Sequence, residues 1–321
     1  MPRESHPGMA AAGLGHTVAT KATAVAALER PGYTPDRPGK PMQDRTFVAT
    51  IGSEASPLLC CGVLDGHGRK GHDVASFFQR RLPEELSKCC SEISSSDHRR
   101  LSNAMAEAFL GAQQAIIEDT SVASRASGTT AVVAILDEQR GRVTVGNVGD
   151  SRAVYGARAN SGIGSSSWFA TALSADTTTK NMPAELERVL AKGARVDSQG
   201  NVFAGPIGIS MTRALGDTVL KSVGVLAEPH FAASAGARLP PDRPAFLLLA
   251  SDGVWGVLTD ERAVAIVGAV LDDAAGAARG EAAARRALEA LAAAAAEKWQ
   301  DGLPCEVLID DISCVLVVLD G

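Results

Sequence analysis

Apolar residues recur along this chain with two periods. An unbroken apolar stretch over residues 58–64 predicts a buried β-strand. Residues 45–51 also have strand character, and the short gap between the two stretches predicts an antiparallel pair. Residues 71–90 and 98–119 read as amphipathic helices; in the second, Leu101, Met105, Phe109, Ala112 and Ile116 fall at helical spacing. Strands follow at 129–136, 142–148 and 151–155, with Gly149-Asp150 as the turn between the last two. A short helix over 183–192 has Pro183 in its first turn. The segment 193–228 is Gly-rich with little apolar periodicity and reads as an irregular, flap-like insertion. A buried strand at 246–250, helices at 259–271 and 279–299, and a last strand at 312–319 complete the pattern. Antiparallel-looking strand groups with helices inserted in pairs give an α+β class, not alternating βαβα.

Composition narrows the picture. The 321 residues are 45% apolar and 21% charged with a net charge of −6, enough apolar residues for a sizeable core. No strongly basic run points to nucleic acid or an anionic membrane as partner. No apolar run reaches the roughly 20 residues of a membrane span. Residues 1–30, rich in Ala, Gly and Thr, read as a flexible N-terminal tail, and 31–321 as a single catalytic domain, entered through Pro31, Pro35, Pro38 and Pro41. The tail lacks the charged start and long apolar core of a secretory signal, leaves a plastid address open, and its Pro2 rules out N-myristoylation. The six cysteines form no zinc spacing and read as reduced core thiols of an intracellular protein, cytoplasmic or nuclear.

The chemistry lies at strand ends. Asp44 starts a strand, Asp65 and Asp252 end two others, and Asp310 precedes a fourth. Any one of them alone reads as a turn residue. Four carboxylates on one rim would repel, so a cation between them is the economical explanation, and all-oxygen ligation favours Mg²⁺ or Mn²⁺. Gly66 lets the backbone approach closely, so that its carbonyl can also reach an ion. His67 can hold or give a proton near neutral pH.

The order of the motifs resembles the type 2C, metal-dependent serine/threonine protein phosphatases. The matching stretches are Gln43-Asp44, Val63-Leu64-Asp65-Gly66-His67-Gly68, Ser127-Gly128-Thr129-Thr130-Ala131 and the run from Gly146 to Val154. They continue with the run from Ser210 to Asp217, Gly224 to Pro229, Leu249 to Trp255, and Asp310-Asp311-Ile312-Ser313. The resemblance implies a β-sandwich of two antiparallel sheets flanked by helix pairs, a four-layer αββα arrangement, with two divalent ions at one end. It implies that Asp65 bridges both ions, Gly66 lends a carbonyl, Asp252 and Asp310 hold the second ion, and Asp44 holds bound water. His67 is then the general acid. The implied reaction is attack on phosphoserine or phosphothreonine by a water bridging the two metals, in phosphorylated protein substrates, by a monomer.

Two positions depart from the family. A phosphate-clamping Arg is usual a few residues before Asp44; here Gly39 falls there, and Lys40 or Arg37 takes the role. The family also carries an acid directly after Trp255, which with Asp150 and Asp252 would hold a third, weaker ion. This chain has Gly256, through loss of that ligand or because the backbone needs positive φ. Trp255 reads as core, and Arg213 with Asp217 as a structural ion pair. Two other functions remain open from the sequence: a pseudophosphatase acting as a binding module, and a small-metabolite phosphohydrolase.

Overall fold

A computed structural model describes residues 23–35, 37–54, 56–91, 98–138, 141–159, 167–232, 239, 243–274, 280–301 and 308–319. Its strands and helices, in chain order, begin with β1 (Thr23–Arg30), β2 (Arg45–Ser53), β3 (Ser56–Leu64), β4 (Gly66–Gly68), α1 (Gly71–Cys90) and α2 (His98–Glu118). Then come β5 (Ser127–Thr129), β6 (Ala131–Asp137), β7 (Arg142–Val148), β8 (Arg152–Arg158), β9 (Trp168–Ala172) and α3 (Pro183–Ala191). The short strands β10 (Arg195–Val196), β11 (Val202–Ala204), β12 (Ile207–Ile209) and β13 (Leu215–Gly216) lead to β14 (Ala245–Ala250). Helices α4 (Asp252–Trp255), α5 (Asp260–Asp273) and α6 (Glu281–Gln300) precede β15 (Ile312–Leu319).

Two antiparallel sheets carry the fold, one ordered β2-β3-β6-β7 and the other β1-β15-β14-β8-β9. Strand β3 shows why its sequence lacks polar alternation. Leu59, Cys61 and Val63 point between the sheets, while Leu58, Cys60 and Leu64 point towards α1 and α2. Both faces are buried from Leu58 to Leu64, so no position in that stretch is polar. Strand β15 does the same on the other sheet: Val315 and Val317 face inward, and Ile312, Cys314, Leu316 and Val318 face α5 and α6. The layers are therefore helix pair, sheet, sheet, helix pair. In α2, Leu101, Met105, Phe109, Ala112 and Ile116 are all buried against the first sheet, matching their spacing. Helix α6 packs through Ala283, Ala284, Ala287, Leu288 and Leu291; its many alanines are good helix formers and allow close approach.

Two expectations are corrected. The tail does not run to residue 30: Thr23–Arg30 is strand β1, paired along its length with β15 from Thr23↔Leu319 to Arg30↔Ile312. Val25 and Ala26 are buried there, and residues 1–22 lie outside the described residues. The segment 193–228 is not simply irregular. Strands β10, β11 and β12 form a small sheet over a separate core of Val189, Ala194, Val202, Met211, Ala214, Leu220 and Val225. Cys60, Cys61, Cys90 and Cys314 are free and buried.

Candidate active site

Strand register gathers the acidic positions. Arg45 pairs with Leu64, so Asp44 and Asp65 leave neighbouring strands at the same end. Ala131 pairs with Val148, two residues before Asp150. Ala250 pairs with both Arg152 and Cys314, which brings Asp252, Asp150 and Asp310 to that end of the second sheet. Hydroxyls tie the turns together. Thr130 donates its N–H to the Asp65 carbonyl at 2.9 Å, and its Oγ1 accepts from the Asp65 N–H at 3.0 Å and meets Ser151 Oγ at 2.6 Å. Ser251 Oγ accepts the Ser313 N–H at 3.1 Å, joining the turn before Asp252 to the start of β15.

The result is a buried group of like charges. Burial raises the Asp44 carboxyl to about 8 against a hydrogen bond from Ser251, with Asp311, Asp252 and Asp310 adding repulsion. Asp65 is raised well above the ordinary range, first by burial, then by Asp44 and Asp252; its carboxyl is within hydrogen-bond reach of that of Asp252. Asp150 rises to about 7 by burial and by the charge of Asp252. Asp310 also rises, by burial and Asp252. Asp44 Oδ2 is buried with no hydrogen-bond partner. An unmatched buried carboxylate oxygen among raised carboxyls is what a cation would relieve. Among the described residues, no three His, Cys, Asp or Glu side chains stand as a closed ligand shell. The donor set still fits Mg²⁺ or Mn²⁺: it is all oxygen, and Mg²⁺ keeps several waters, needing only one or two carboxylates directly. At Gly66 a Cβ would lie 2.5 Å from the Gln43 carbonyl oxygen and 2.6 Å from that of Gly71, so only glycine fits this close approach.

His67 sits in β4, opposite Gly128 of β5. Its Nε2 lies 2.5 Å from Asp217 Oδ2, and Asp217 is 1% exposed. Burial alone lowers the His67 ring, but the charge of Asp217 and this hydrogen bond outweigh it, and the net shift is upward. Asp217 is held at φ 43, a left-handed conformation that is costly for a residue with a Cβ and persists only where the surroundings enforce it. Its N–H donates to the Ser127 carbonyl at 3.0 Å, and a Cβ at Gly128 would collide with its carboxylate. Lys221, half-buried beside Asp217, is lowered by burial to about 8 and donates to the Ala214 carbonyl at 2.6 Å.

Cations line the neighbouring surface. Arg37-Pro38-Gly39-Lys40 is a tight turn: Lys40 N–H donates to the Arg37 carbonyl at 3.0 Å, and Gly39 has φ 90. Proline second and a positive-φ glycine third are the marks of a type II turn. Lys40 Nζ lies 3.9 Å from Asp310 and 3.8 Å from Asp311. A cavity of about 560 Å³ is lined by Arg37, Lys40, Pro41, Gln43, Gly68 and Arg69. A smaller one, about 170 Å³, is walled by His67, Gly68, Asp217 and the β12 residues Ile207 and Ile209 with Met211.

Asp44, Asp65, Asp150, Asp252 and Asp310 thus come to one end of the sandwich, with Gly66, His67 and Lys40 beside them, and Arg37 one turn away from Lys40. The sequence did not single out Asp311, Arg69 or the pairing of His67. Asp311 is 5% exposed and accepts the N–H groups of Gly32 and Gln43, both at 2.8 Å, fixing the segment before Asp44. Arg213 and Asp217 do not pair. Arg213 binds Glu185 at 2.7 Å, which Arg188 also grips, while Asp217 turns to His67. Gly128, strictly between two polar residues in a short strand, was the available signal that something bulky needs room there. Gly256 has φ −68, so positive φ does not explain it. A Cβ there would lie 2.8 Å from the Asp252 carbonyl oxygen and 3.4 Å from the Trp299 ring, whose Nε1 donates to the Gly253 carbonyl. Trp255 is buried and donates to the Ala250 carbonyl at 2.8 Å.

Comparison with known proteins follows this geometry. A family model described as Protein phosphatase 2C matches residues 40–299. Probable protein phosphatase 2C 52 of Arabidopsis thaliana is 31% identical over 300 residues, covering 81% of this chain and 59% of the relative. Probable protein phosphatase 2C 61 of the same plant is 31% identical over 294 residues, covering 88% and 82%. Against the first relatives, exemplified by the 59% above and by 60% for probable protein phosphatase 2C 64 of rice, the chain spans about three fifths of their length. Among solved structures, a serine-threonine phosphatase 2C from Toxoplasma gondii superposes with a TM-score of 0.72 at 20% identity, over 95% of this chain and 97% of that one. At that identity the likeness concerns the fold.

Proposed function

The chain belongs to the protein phosphatase 2C family, and from that premise we propose that it hydrolyses phosphoserine and phosphothreonine in protein substrates with the help of divalent cations. The observation that carries this reading is the cluster of Asp44, Asp65, Asp150 and Asp252, with Asp44 buried and its Oδ2 unmatched. Asp65, the Gly66 carbonyl, Asp44, Asp252 and Asp310 would hold two ions, Mg²⁺ or Mn²⁺; Asp150 and Asp252 alone would hold a third loosely, because Gly256 offers no side chain. When bound, such ions activate water for attack on phosphorus and offset charge on the phosphoryl oxygens.

The chain's own groups do the rest. Lys40, 3.9 Å from Asp310, is the innermost cation and receives the scissile phosphate, while Arg37 stands at the outer end of the same turn. The serine or threonine oxygen is a poor leaving group and needs a proton as the P–O bond breaks. His67 gives it. With Nε2–H committed to Asp217, the proton to transfer sits on Nδ1, which is buried without a partner in the structure. Asp217 keeps the ring in that orientation. No side-chain nucleophile is required.

The test is hydrolysis of a generic phosphothreonine peptide in Mn²⁺, in Mg²⁺ and in excess chelator. Activity in either metal and none in chelator is expected. Full turnover by metal-free protein would overturn the reading, and inactivity in both metals would leave a binding module in its place.

A further inference from the structure

We propose that Arg69 and Arg37 form an anion subsite beside the catalytic centre, so that the protein prefers phosphopeptides bearing a second anionic group, a carboxylate or another phosphate, within a few residues of the phosphoresidue it cleaves. The inference rests on the phosphatase reading and names its substrate class.

The three cations of the larger cavity are not equivalent. Lys40 lies within 4 Å of Asp310 and Asp311, which offset part of its charge. Arg37 and Arg69 are exposed and have no carboxylate within ion-pair distance among the described residues. Neither takes part in the side-chain hydrogen bonds that bind so many other arginines here, such as Arg152, Arg188 and Arg213. Two unneutralised guanidinium groups facing one hollow raise its affinity for anions, and each offers a planar fork that matches a carboxylate or phosphate.

The hollow is built on rigid parts. Arg69 lies between two fixed residues. The Gly68 carbonyl accepts from Gln43 Nε2 at 2.8 Å, and the Lys70 N–H donates to Ser127 Oγ at 3.0 Å. Gly68 is at φ 81, and a Cβ there would meet the Ala126 carbonyl oxygen at 2.6 Å, so the loop has one path. Arg37 stands on the type II turn with Lys40. The backbone that carries both cations then needs little ordering to bind, and the entropic cost falls on the two side chains alone.

Position and size fit a second group rather than the scissile phosphate alone. Gln43 and Gly68, two of the lining residues, are chain neighbours of Asp44 and His67, so the hollow adjoins the centre. Its volume of about 560 Å³ exceeds what one phosphoryl group fills. An extended peptide advances at most about 3.6 Å per residue, which brings a side chain one to three residues away within reach. Gly68 also borders the smaller cavity, whose lining of His67, Asp217, Ile207, Ile209 and Met211 contains no lysine or arginine. Selection for anions therefore falls on the Arg69 side.

The experiment uses the full chain and three phosphothreonine peptides, flanked by Ala, by Glu, or by a second phosphothreonine. Affinity is read by fluorescence anisotropy in chelator and in Mn²⁺, and hydrolysis is followed in parallel. Wild type is expected to bind the Glu and doubly phosphorylated peptides about tenfold more tightly than the Ala peptide, the scale of one charge-assisted hydrogen-bonded pair. Arg69→Gln is expected to reduce that preference to about twofold. Lys70→Gln should keep it, because Lys70 is paired with Asp73 at 3.1 Å and does not line the hollow. Tighter binding of both anionic peptides supports a general anion subsite; tighter binding of the doubly phosphorylated peptide alone supports one that takes phosphate. Equal affinity for all three peptides in wild type, or a preference that survives Arg69→Gln, would overturn the subsite. The phosphatase reading fails separately, by the absence of hydrolysis of every peptide in Mn²⁺, whatever the affinities.

Discussion

Two buried carboxylate sites in this molecule have opposite electrostatics. Glu185, on α3, is 4% exposed and lies against Arg188 and Arg213 with Thr212 donating to it at 2.7 Å. Burial pushes its carboxyl up, yet the two arginines and the threonine reverse this and hold it at about 2. Asp44 is as buried and Asp65 and Asp150 half-buried; they have no lysine or arginine among the causes acting on them, and are pushed up. The first site supplies its own countercharge and locks the flap segment to α3. The second leaves the countercharge to be supplied from outside. Burial of an acid is thus uninformative by itself, and the partner set separates a structural carboxylate from a ligand-binding one.

Changes at the second site are expected to act on activity. Asp65→Asn, which removes a carboxylate from the residues that would hold the ions, should reduce turnover the most, beyond the loss from removing the general acid. Steady-state kinetics in Mn²⁺ checks this, and a variant retaining a tenth of wild-type turnover would remove Asp65 from its place. His67→Gln should lower hydrolysis of phosphothreonine peptides by about 10²- to 10⁴-fold. Aryl phosphates, which leave without a proton, should be much less affected; equal losses on the two substrates would exclude proton donation by His67.

Changes at the first site are expected to act on stability. Glu185→Gln leaves two arginines without a buried partner and should cost about 3 kcal/mol, read from chemical denaturation. Its folded pKa lies below its ordinary value of 4.5, so Glu185 stabilises the fold above that pH and the contribution disappears as pH falls through about 2. The variant should therefore show a flatter acid limb than wild type. An unchanged acid limb would mean the pairing is not what holds the flap.

The metal-free protein should show the reverse sign. Asp44 has a folded pKa of about 8 against 3.8, so the folded state binds more protons than the unfolded one across that window. Stability in chelator should fall as pH rises from about 4 to 8, and Mn²⁺ should restore it most at pH 8. Asp44→Asn should raise the chelated protein's melting temperature at pH 8 more than at pH 5; the absence of such a gain would show that the charge is already offset.

The smallest effect is expected at Gly256. Gly256→Asp should lower the Mg²⁺ concentration for half-maximal activity a few-fold and cost about 1 kcal/mol, because its Cβ would meet the Asp252 carbonyl oxygen at 2.8 Å. A loss of stability with an unchanged metal requirement would make that backbone contact the reason for the glycine.

Local pattern made much of this legible. The apolar run of β3 and the spacing of Leu101, Met105 and Phe109 mark elements buried on known faces, and Asp44, Asp65, Asp252 and Asp310 stand out because each abuts such a strand. What escaped depends on partners far away in the chain. His67 and Asp217 are 150 residues apart, and nothing near Asp217 says that it turns away from Arg213. Strand β1 has a weak local signature, and its pairing with β15 alone makes it a strand. Arg69 carries no signal of its own in the sequence, since its place in one hollow with Arg37 is set by tertiary folding.

The pairing of β1 with β15 also fixes the order of events during synthesis. β15 is an inner strand, flanked by β1 and β14, and Thr23 finds its partner Leu319 only after everything between them has been made. Until then β1 and one edge of β14 lack their strand partner, and Asp310 is not yet beside Asp252. Pairings this distant in sequence are slow to form and expose apolar strands meanwhile. The nascent chain therefore passes through an interval in which half of its sandwich is open and its acidic end incomplete, and chaperone protection matters most until β15 has been made.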